Sequence, residues 1–345
     1  MARGGCNTPQ YGYFWGMDFS RRHFLRRAGV AAAAAVFLPR FAGYDRAVAQ
    51  AMSGQAQKPW NTQTFSIGAI RATSFRDGTF VSPVRPLWTN APEGEAEAVL
   101  QAAGFPDNVT LSFNVLLLEI GSEKILLDGG YGSLAGNVGG GLSGALRAYG
   151  VAPEQVTGVV LSHAHGDHYG GLVDLVTGKP SYPNAHHFVT KTEYAFWTGG
   201  ADLSKSALPA DQKRSTAEQS LKALRALDGK WERVDANQKL VDGLELIPAP
   251  GHTPGHSAFL ISSGKEQVLH IVDAAHNHIL MFARPEWTMA YDTDPAQAVA
   301  TRRRLFDRAA ADKLRVMSYH LPFPGTGRIV ADGKGYKWLG EVFPA

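Results

Sequence analysis

The chain has 345 residues, of which 44% are hydrophobic and 19% are charged, and this composition excludes a disordered or fibrous protein. A single cysteine, Cys6, excludes a disulfide scaffold. The formal net charge of +3 would suggest nucleic acid or an anionic membrane as a partner if the positive charges belonged to the folded part of the chain.

The N-terminal segment has the layout of an export signal. Paired arginines, Arg21 and Arg22, precede a short apolar stretch at residues 28–38, and Ala47–Ala49 forms a small-residue cleavage site. The apolar stretch is shorter than the roughly 20 residues needed to span a bilayer. We therefore predict a twin-arginine signal peptide over residues 1–49, export by the twin-arginine machinery to the periplasm or the medium, and no permanent membrane anchor.

Most of the positive charge lies in this segment. Residues 1–49 hold seven of the 34 basic side chains and two of the 31 acidic ones, which leaves 27 basic against 29 acidic side chains in residues 50–345. A slightly acidic protein is poorly suited to a polyanion, so nucleic acid is not expected as a partner. Residues 50–345 are predicted to form one domain, because no linker or internal repeat interrupts them.

The elements predicted for this domain are short strands with single helices between them. Strands are predicted at residues 64–75, 110–120, 123–128 and 156–161, and again at residues 240–247, 257–262, 267–272 and 314–319. Residues 76–108, rich in proline and glycine, are predicted to form a surface excursion. Helices are predicted at residues 211–228 and 295–311, the second capped by Asp294. This order fits two sheets packed face to face with helices outside.

The strongest chemical signal follows the predicted strand 156–161, where the chain reads Ser-His-Ala-His-Gly-Asp-His. The segment offers four candidate metal ligands: His163, His165, Asp167 and His168. Alternate side chains of an extended segment lie on one side, so the first two histidines can reach one ion together. The turn at Gly166 directs the aspartate and the last histidine toward a second ion. Imidazoles with a carboxylate and no thiolate suit zinc, with manganese, cobalt and iron as alternatives.

This His-x-His-x-Asp-His motif after a buried strand resembles the metallo-β-lactamase superfamily, and further motifs follow in the superfamily's order. Asp128 matches its structural aspartate, His252 its third-motif histidine, Asp273 its bridging aspartate and His320 its last ligand. The resemblance covers residues 64–345. It implies an α/β fold, the metallo-β-lactamase αβ/βα four-layer sandwich, with a two-metal site at one sheet edge.

The resemblance also implies an assignment of the ligands to two divalent ions, with zinc expected. One ion would be held by His163, His165 and His252, the other by Asp167, His168 and His320, with Asp273 bridging both. Such a pair of ions lowers the pKa of a bridging water and stabilises the charge that develops during hydrolysis. Asp167 and Asp273 are therefore also the predicted catalytic residues of a hydrolase.

Within the superfamily, the chain resembles the methyl parathion hydrolase family, which includes lactonases and aryl esterases. The resemblance is carried by four segments: His320–Gly325, Gly333–Tyr336, Pro183–Ala185 and Glu193–Trp197. It implies hydrolysis of phosphotriester, lactone or aryl-ester bonds in a small, largely apolar substrate, with Phe196 and Trp197 as an aromatic wall. It also implies a tendency to form homodimers.

Residues 274–292 depart from that family's pattern and bring His276 and His278 close to the site in sequence. The substrate preference is therefore open between a phosphotriesterase and a lactonase or aryl esterase with only promiscuous organophosphate activity. A secreted metal-binding protein without catalysis is the remaining alternative. The complete ligand set argues against that alternative, because loss of function would be expected to erode at least one ligand.

Overall fold

Two seven-stranded β-sheets form the centre of the protein, as seen in a computed structural model in which the described residues are 61–343. The predicted signal peptide at residues 1–49 lies outside the described residues. Among residues 61–343, no helix is both long enough and apolar enough to cross a membrane.

The first sheet has its strands in sequence order. They are β1 (Thr62–Ile67), β2 (Ile70–Pro83), β3 (Asn108–Ile120), β4 (Glu123–Leu127), β5 (Gly158–Val160), β6 (His186–Thr190) and β7 (Trp231–Val234). Strands β1 to β4 pair antiparallel, and β4 to β7 pair parallel. In the parallel part, β5 and the end of β4 are buried apolar runs, as expected where both faces are covered, whereas β6 and β7 also carry exposed polar residues such as His186 and Glu232.

The second sheet has the order β14-β13-β12-β11-β10-β9-β8. Its strands are β8 (Lys239–Val241), β9 (Leu244–Pro248), β10 (Ser257–Ser263), β11 (Glu266–His270), β12 (Arg315–Met317), β13 (Thr326–Asp332) and β14 (Gly335–Gly340). The pair β11 and β12 is parallel, and the other neighbours are antiparallel.

Helices flank both sheets. They are α1 (Val84–Leu87), α2 (Glu95–Ala102), α3 (Leu142–Tyr149), α4 (Gly166–Tyr169), α5 (Lys191–Thr198), α6 (Ala210–Ala226), α7 (Leu280–Ala283) and α8 (Pro295–Ala311). Helix α8 has the predicted bounds, and the Asp294 side chain accepts a hydrogen bond from the Gln297 N–H at 3.1 Å. Its start is set locally, because the cap and Pro295 at the first position both favour a helix there.

The sheets pack face to face on a shared apolar core. Leu117 of the first sheet and Phe259 of the second are fully buried in one cluster, which Leu224 of α6 also joins. A second cluster lies between the other face of the second sheet and α8, where Phe306 and Val316 are fully buried. The layers are therefore helix, sheet, sheet and helix, which is the predicted αβ/βα sandwich.

Two sequence predictions need correction in the N-terminal part. The predicted strand 64–75 is a hairpin that turns at Gly68, where φ is +56°. The predicted excursion at residues 76–108 begins as the continuation of β2 through a bulge between Arg76 and Gly78. The bulge places the buried Asp77 carboxylate where it accepts three backbone N–H bonds, from Tyr131, Gly140 and Leu142. A bulge has no periodic sequence signature, so the glycine and prolines of this stretch predict a loop where β2 in fact continues.

Candidate metal centre

The predicted ligands all follow the carboxyl ends of strands at one edge of the two sheets. Asp128 directly follows β4, the His163–His168 motif follows β5, and His252, Asp273 and His320 follow β9, β11 and β12 respectively. The strands β4 and β5 are parallel to each other, as are β9, β11 and β12. Loops of both sheets therefore meet at this edge, as the edge of an α/β sandwich requires.

Three histidines form the first group of candidate ligands. Nε2 of His163 lies 3.1 Å from Nδ1 of His165, which lies 2.9 Å from Nε2 of His252. All three rings are buried, and burial together with the neighbouring imidazoles lowers the pKa of His163 and of His165 well below 6.5. These two rings are neutral, which is the form that ligates a metal.

The second group adds negative charge. Oδ2 of Asp167 lies 3.5 Å from Nε2 of His168 and 3.4 Å from Nε2 of His320. Although burial lowers the pKa of His168, the carboxylates of Asp273, Asp167 and Asp128 raise it well above its ordinary value. The pocket around His168 therefore favours a cation.

Asp273 lies between the two groups. Its Oδ2 atom is 3.4 Å from Nε2 of His252, 3.3 Å from Nε2 of His168 and 3.0 Å from Nε2 of His320. The carboxylate is 3% exposed, and its Oδ1 atom is buried without a hydrogen-bond partner, as is Nε2 of His168. Because unpartnered buried polar atoms are costly, these two atoms indicate that the centre is built for cations that the nitrogen and oxygen donors would coordinate.

Hydrogen bonds from behind orient the ligand rings. The buried Asp128 accepts from the Ser162 N–H at 2.7 Å, from the Ser162 hydroxyl at 2.8 Å and from Nδ1 of His168 at 2.8 Å. Nδ1 of His320 donates to the carbonyl of Ser112 at 3.0 Å. The bonds from Nδ1 of His168 and of His320 fix the tautomers that leave Nε2 directed at the centre, as in carboxylate–histidine–metal arrangements.

The histidine of the β9 loop has a support that sequence reasoning missed. Nδ1 of His252 donates to Oδ1 of Asp292 at 2.8 Å, and Asp292 is 1% exposed. Nearby, Nδ1 of His256 donates to the Ala249 carbonyl at 2.7 Å, and its Nε2 accepts from the Asp273 N–H at 3.2 Å. His256 thus orients the loop rather than joining the ligands. Asp292 carries no local motif, so only the fold could reveal it.

His276 is a further group that the ligand assignment omits. Its Nε2 lies 3.2 Å from Oδ2 of Asp273, and its ring stacks on His320 with centroids 5.0 Å apart. It can form a metal-binding group with His252 and Asp273, and its Nδ1 is buried without a hydrogen-bond partner. The only sequence signal was its position three residues after Asp273, which places it on the same short turn.

The predicted aromatic wall needs correction. Trp197 is 1% exposed, donates its indole N–H to Glu193 at 2.7 Å and packs edge-on beneath His165. It is a packing residue, because its polar atom is satisfied inside the protein. Phe196 is half-buried against Trp197. Tyr291, by contrast, is 36% exposed with its ring centroid 5.9 Å from that of His165, so it lies at the rim of the centre.

A second aromatic group lies near the turn that carries His276. The half-exposed ring of Phe105, which follows α2, packs edge-on against His278 with centroids 5.1 Å apart. His278 is itself partly buried, and burial lowers its pKa to about 4. It therefore contributes a neutral, partly apolar surface beside the centre.

Comparison with known proteins identifies the family. The family model of the metallo-beta-lactamase superfamily matches residues 111–320, so the chain belongs to this superfamily. Among curated proteins, it is 28% identical over 191 residues to the N-acyl homoserine lactonase AttM of Azorhizobium caulinodans, covering 51% of this chain and 62% of the relative. It is 26% identical over 132 residues to an N-acyl homoserine lactonase of a Bacillus species, covering 38% of this chain and 43% of the relative. The matches thus span less than two thirds of the length of these relatives.

Solved structures agree with the fold over a larger share of the chain. AidC, a dizinc quorum-quenching lactonase determined with a product, superposes with a TM-score of 0.80 and 29% identity, covering 83% of this chain and 99% of that one. The hydrolase AbOPH of the beta lactamase superfamily superposes with a TM-score of 0.76 and 30% identity, covering 84% of this chain and 100% of that one. The similarity therefore includes both sheets and the loops at the metal-binding edge.

Proposed function

We propose that the protein is a dinuclear, zinc-dependent hydrolase that opens lactone rings, with N-acyl homoserine lactones as the substrate class. The observation that carries the proposal is the convergence of four predicted histidine ligands on Oδ2 of Asp273, at 3.0–3.7 Å, with His165 and Asp167 directly beside them. The printed names of the relatives AttM and AidC support the lactone, because both are lactonases and AidC is a dizinc protein.

The site residues divide the work of hydrolysis between them. When bound, two divalent ions supply a water of lowered pKa and polarise the carbonyl that is attacked. Asp273 holds the two ligand groups at a fixed separation. The side chain of Asp167 is 20% exposed against 3% for Asp273, so Asp167 is the carboxylate that can reach the substrate, accept a proton from the attacking water and pass it to the leaving oxygen. The rim residue Tyr291 is placed to contact the acyl group.

Phosphotriester hydrolysis is the second candidate function. It rests on the resemblance of His320–Gly325 and Gly333–Tyr336 to the methyl parathion hydrolase family. An aryl ester would use the same site, because the nucleophile and the ions are common to all three reactions. The neutral surface formed by Phe105 and His278 suits both candidates, because a phosphotriester and an N-acyl lactone are each uncharged.

Steady-state kinetics of the zinc-loaded full chain will separate these functions. The substrates are N-hexanoyl homoserine lactone, dihydrocoumarin, phenyl acetate and methyl parathion, and elemental analysis accompanies them. We expect about two zinc ions per chain and a kcat/KM for lactones at least roughly tenfold above that for methyl parathion, which corresponds to about 1.4 kcal/mol of differential transition-state binding. A higher kcat/KM for methyl parathion would overturn the lactonase proposal. No turnover of any substrate with two ions bound would support a non-catalytic metal-binding protein.

We also propose that residues 1–49 direct export by the twin-arginine route and that residues 50–345 are the exported domain. The support is the sequence pattern around Arg21 and Arg22. Replacing both arginines by lysine should retain the protein in the cytoplasm in its uncleaved form, as fractionation and intact mass would show. Export of the double variant at the normal level would contradict this assignment.

A further inference from the structure

A buried carboxylate outside the ligand set joins the two loops that carry the first group of histidines. Glu193 lies in the first turn of α5 and is fully buried. Its Oε1 atom accepts from the Ala164 N–H at 2.8 Å and from the Trp197 indole N–H at 2.7 Å. Its Oε2 atom accepts from the Thr253 hydroxyl at 2.6 Å and from the Gly255 N–H at 3.0 Å.

These partners are immediate neighbours of the histidine ligands. Ala164 lies between His163 and His165 in the sequence, and Thr253 follows His252. One carboxylate oxygen therefore holds the first-sheet loop and the other holds the second-sheet loop. The carboxylate therefore links the backbones whose side chains form the first group, beside a backbone hydrogen bond from the Ser257 N–H to the Ser162 carbonyl at 3.1 Å.

The packing around the carboxylate leaves little freedom. A Cβ atom added at Gly255 would lie 2.2 Å from the backbone nitrogen of Glu193, so the β9–β10 loop rests directly on the start of α5. The hydroxyl of Thr190, which caps α5, donates to the Gly255 carbonyl at 3.0 Å. Only glycine permits this approach, and a loop so closely seated transmits a displacement of Glu193 to His252.

All four donors to Glu193 are neutral, and within residues 61–343 no ion pair includes this carboxylate. Burial raises the pKa of Glu193, and the four hydrogen bonds oppose that rise. A carboxylate kept buried without a cationic partner is costly for stability alone. Its position between two ligand loops offers a reason for its presence.

We propose that Glu193 is the positioning residue of the first ion: it sets the separation of the His163–His165 loop from His252 and thereby tunes the affinity of that ion. The inference rests on the metal centre of the proposed function and is independent of which ester is hydrolysed. Metal affinity is therefore its test, and a failure of the lactonase proposal would leave that test unchanged.

The decisive variant is Glu193→Gln, measured on the full chain by competition between the protein and a chelator for Zn²⁺. The amide keeps the size of the side chain, but its NH2 group takes the place of one carboxylate oxygen. That group would then face two hydrogen-bond donors instead of accepting from them. We expect the affinity for the first Zn²⁺ site to fall roughly 10- to 100-fold, as for other groups that orient ligands, with the second ion much less affected. The Co²⁺-loaded variant should show an altered visible spectrum for the first ion.

Leu224→Ala is the matched control, because it removes a fully buried core side chain of α6 while leaving the Ser220 hydroxyl, one turn earlier, as the donor to the Ala164 carbonyl at 2.7 Å. It should lower the unfolding temperature while leaving the Zn²⁺ affinity of the folded protein unchanged. An unchanged affinity in Glu193→Gln, or an equal loss in Leu224→Ala, would overturn the proposal. If Glu193→Gln does not fold, Thr253→Val removes a single donor and should weaken the first ion roughly fivefold; an unchanged affinity there would overturn it as well.

Discussion

Two sets of loops form the metal-binding edge, and they orient their candidate ligands in different ways. The first-sheet loops, Asp128 and residues 162–168, place four ligands within one short segment, and the Asp128 carboxylate holds that segment through Ser162 and His168. The second-sheet loops, residues 250–256, 271–278 and 318–320, each place one or two groups. Their supports come from elsewhere in the fold: Asp292 for His252, and the Ser112 carbonyl of the first sheet for His320.

The difference shows how the candidate metal ligands are held in place in this fold. The first-sheet ligands follow from one short motif, a strand end and a turn, with Asp128 of the neighbouring strand behind it, and Glu193 holds this motif against the second-sheet loop. The second-sheet loops depend on tertiary structure for their geometry. Arg302 shows this dependence: it is fully buried in α8 and donates to the carbonyls of Ala274, Pro285 and Trp287, which brackets the turn that carries His276. Substitutions in the first-sheet and second-sheet loops should therefore differ in their effects on Zn²⁺ affinity and on the unfolding free energy.

The largest expected effect is at the group shared by both sides. Asp273→Ala removes the carboxylate that lies within 3.0–3.4 Å of histidines from both sets of loops. We expect kcat/KM to fall by roughly 10³-fold or more and the zinc content to fall from about two toward one, because the bridge supplies several kcal/mol of transition-state stabilisation. Kinetics and elemental analysis of the same sample provide the measurement. Near-normal activity would refute the bridging role and with it the two-ion mechanism.

The next effect tests the local character of the first-sheet loops. Asp128→Asn keeps the size of the side chain but places an amide donor against Nδ1 of His168 or the Ser162 N–H. We expect Zn²⁺ affinity to fall roughly 100-fold and the metal-free protein to lose about 3 kcal/mol of unfolding free energy, because buried hydrogen bonds to a charged group are lost. Chelator competition and urea unfolding of the metal-free chain measure the two quantities.

A smaller effect is expected at the corresponding support on the other side. Asp292→Asn weakens the bond to Nδ1 of His252 but keeps an oxygen for the Met289 N–H, which the carboxylate accepts at 3.0 Å. We expect Zn²⁺ affinity to fall roughly tenfold. The unfolding free energy of the metal-free protein should fall by about 1 kcal/mol. If Asp292→Asn proved as damaging as Asp128→Asn, the distinction between locally and globally fixed loops would be wrong.

The same distinction explains what the sequence could predict. The ligand motif at residues 163–168 was predictable because its spacing alone places side chains of an extended segment and a turn. The roles of Asp292 and Glu193 were not, because each residue acts through partners that are distant in sequence. Trp197 was assigned to a substrate wall for a related reason: the sequence gives its residue type but not the Glu193 carboxylate that satisfies its indole N–H inside the protein.

The fold shows a similar division. Helix α8 was predicted with its bounds because its cap and its first proline are local signals. Strands β7, β13 and β14 and helix α5 were not predicted as elements, since their short runs are stabilised by neighbouring strands and by packing. Helix α5 illustrates the point: Glu193 in its first turn is explained by the ligand loops it contacts and not by helix propensity.

The smallest expected effect is at the rim of the centre, where we expect Tyr291 rather than Phe196 to contact the substrate. Tyr291→Ala removes a 36%-exposed ring that lies edge-on to His165, whereas Phe196→Ala removes a ring that packs against buried Trp197. For a lactone with a long acyl chain, we expect Tyr291→Ala to raise KM roughly fivefold, from the loss of about 1 kcal/mol of apolar contact, with unchanged zinc content. Phe196→Ala should leave KM nearly unchanged and lower the unfolding temperature instead. If Phe196→Ala raised KM and Tyr291→Ala did not, Phe196 would be the substrate contact, and the substrate would bind on the first-sheet side of the centre.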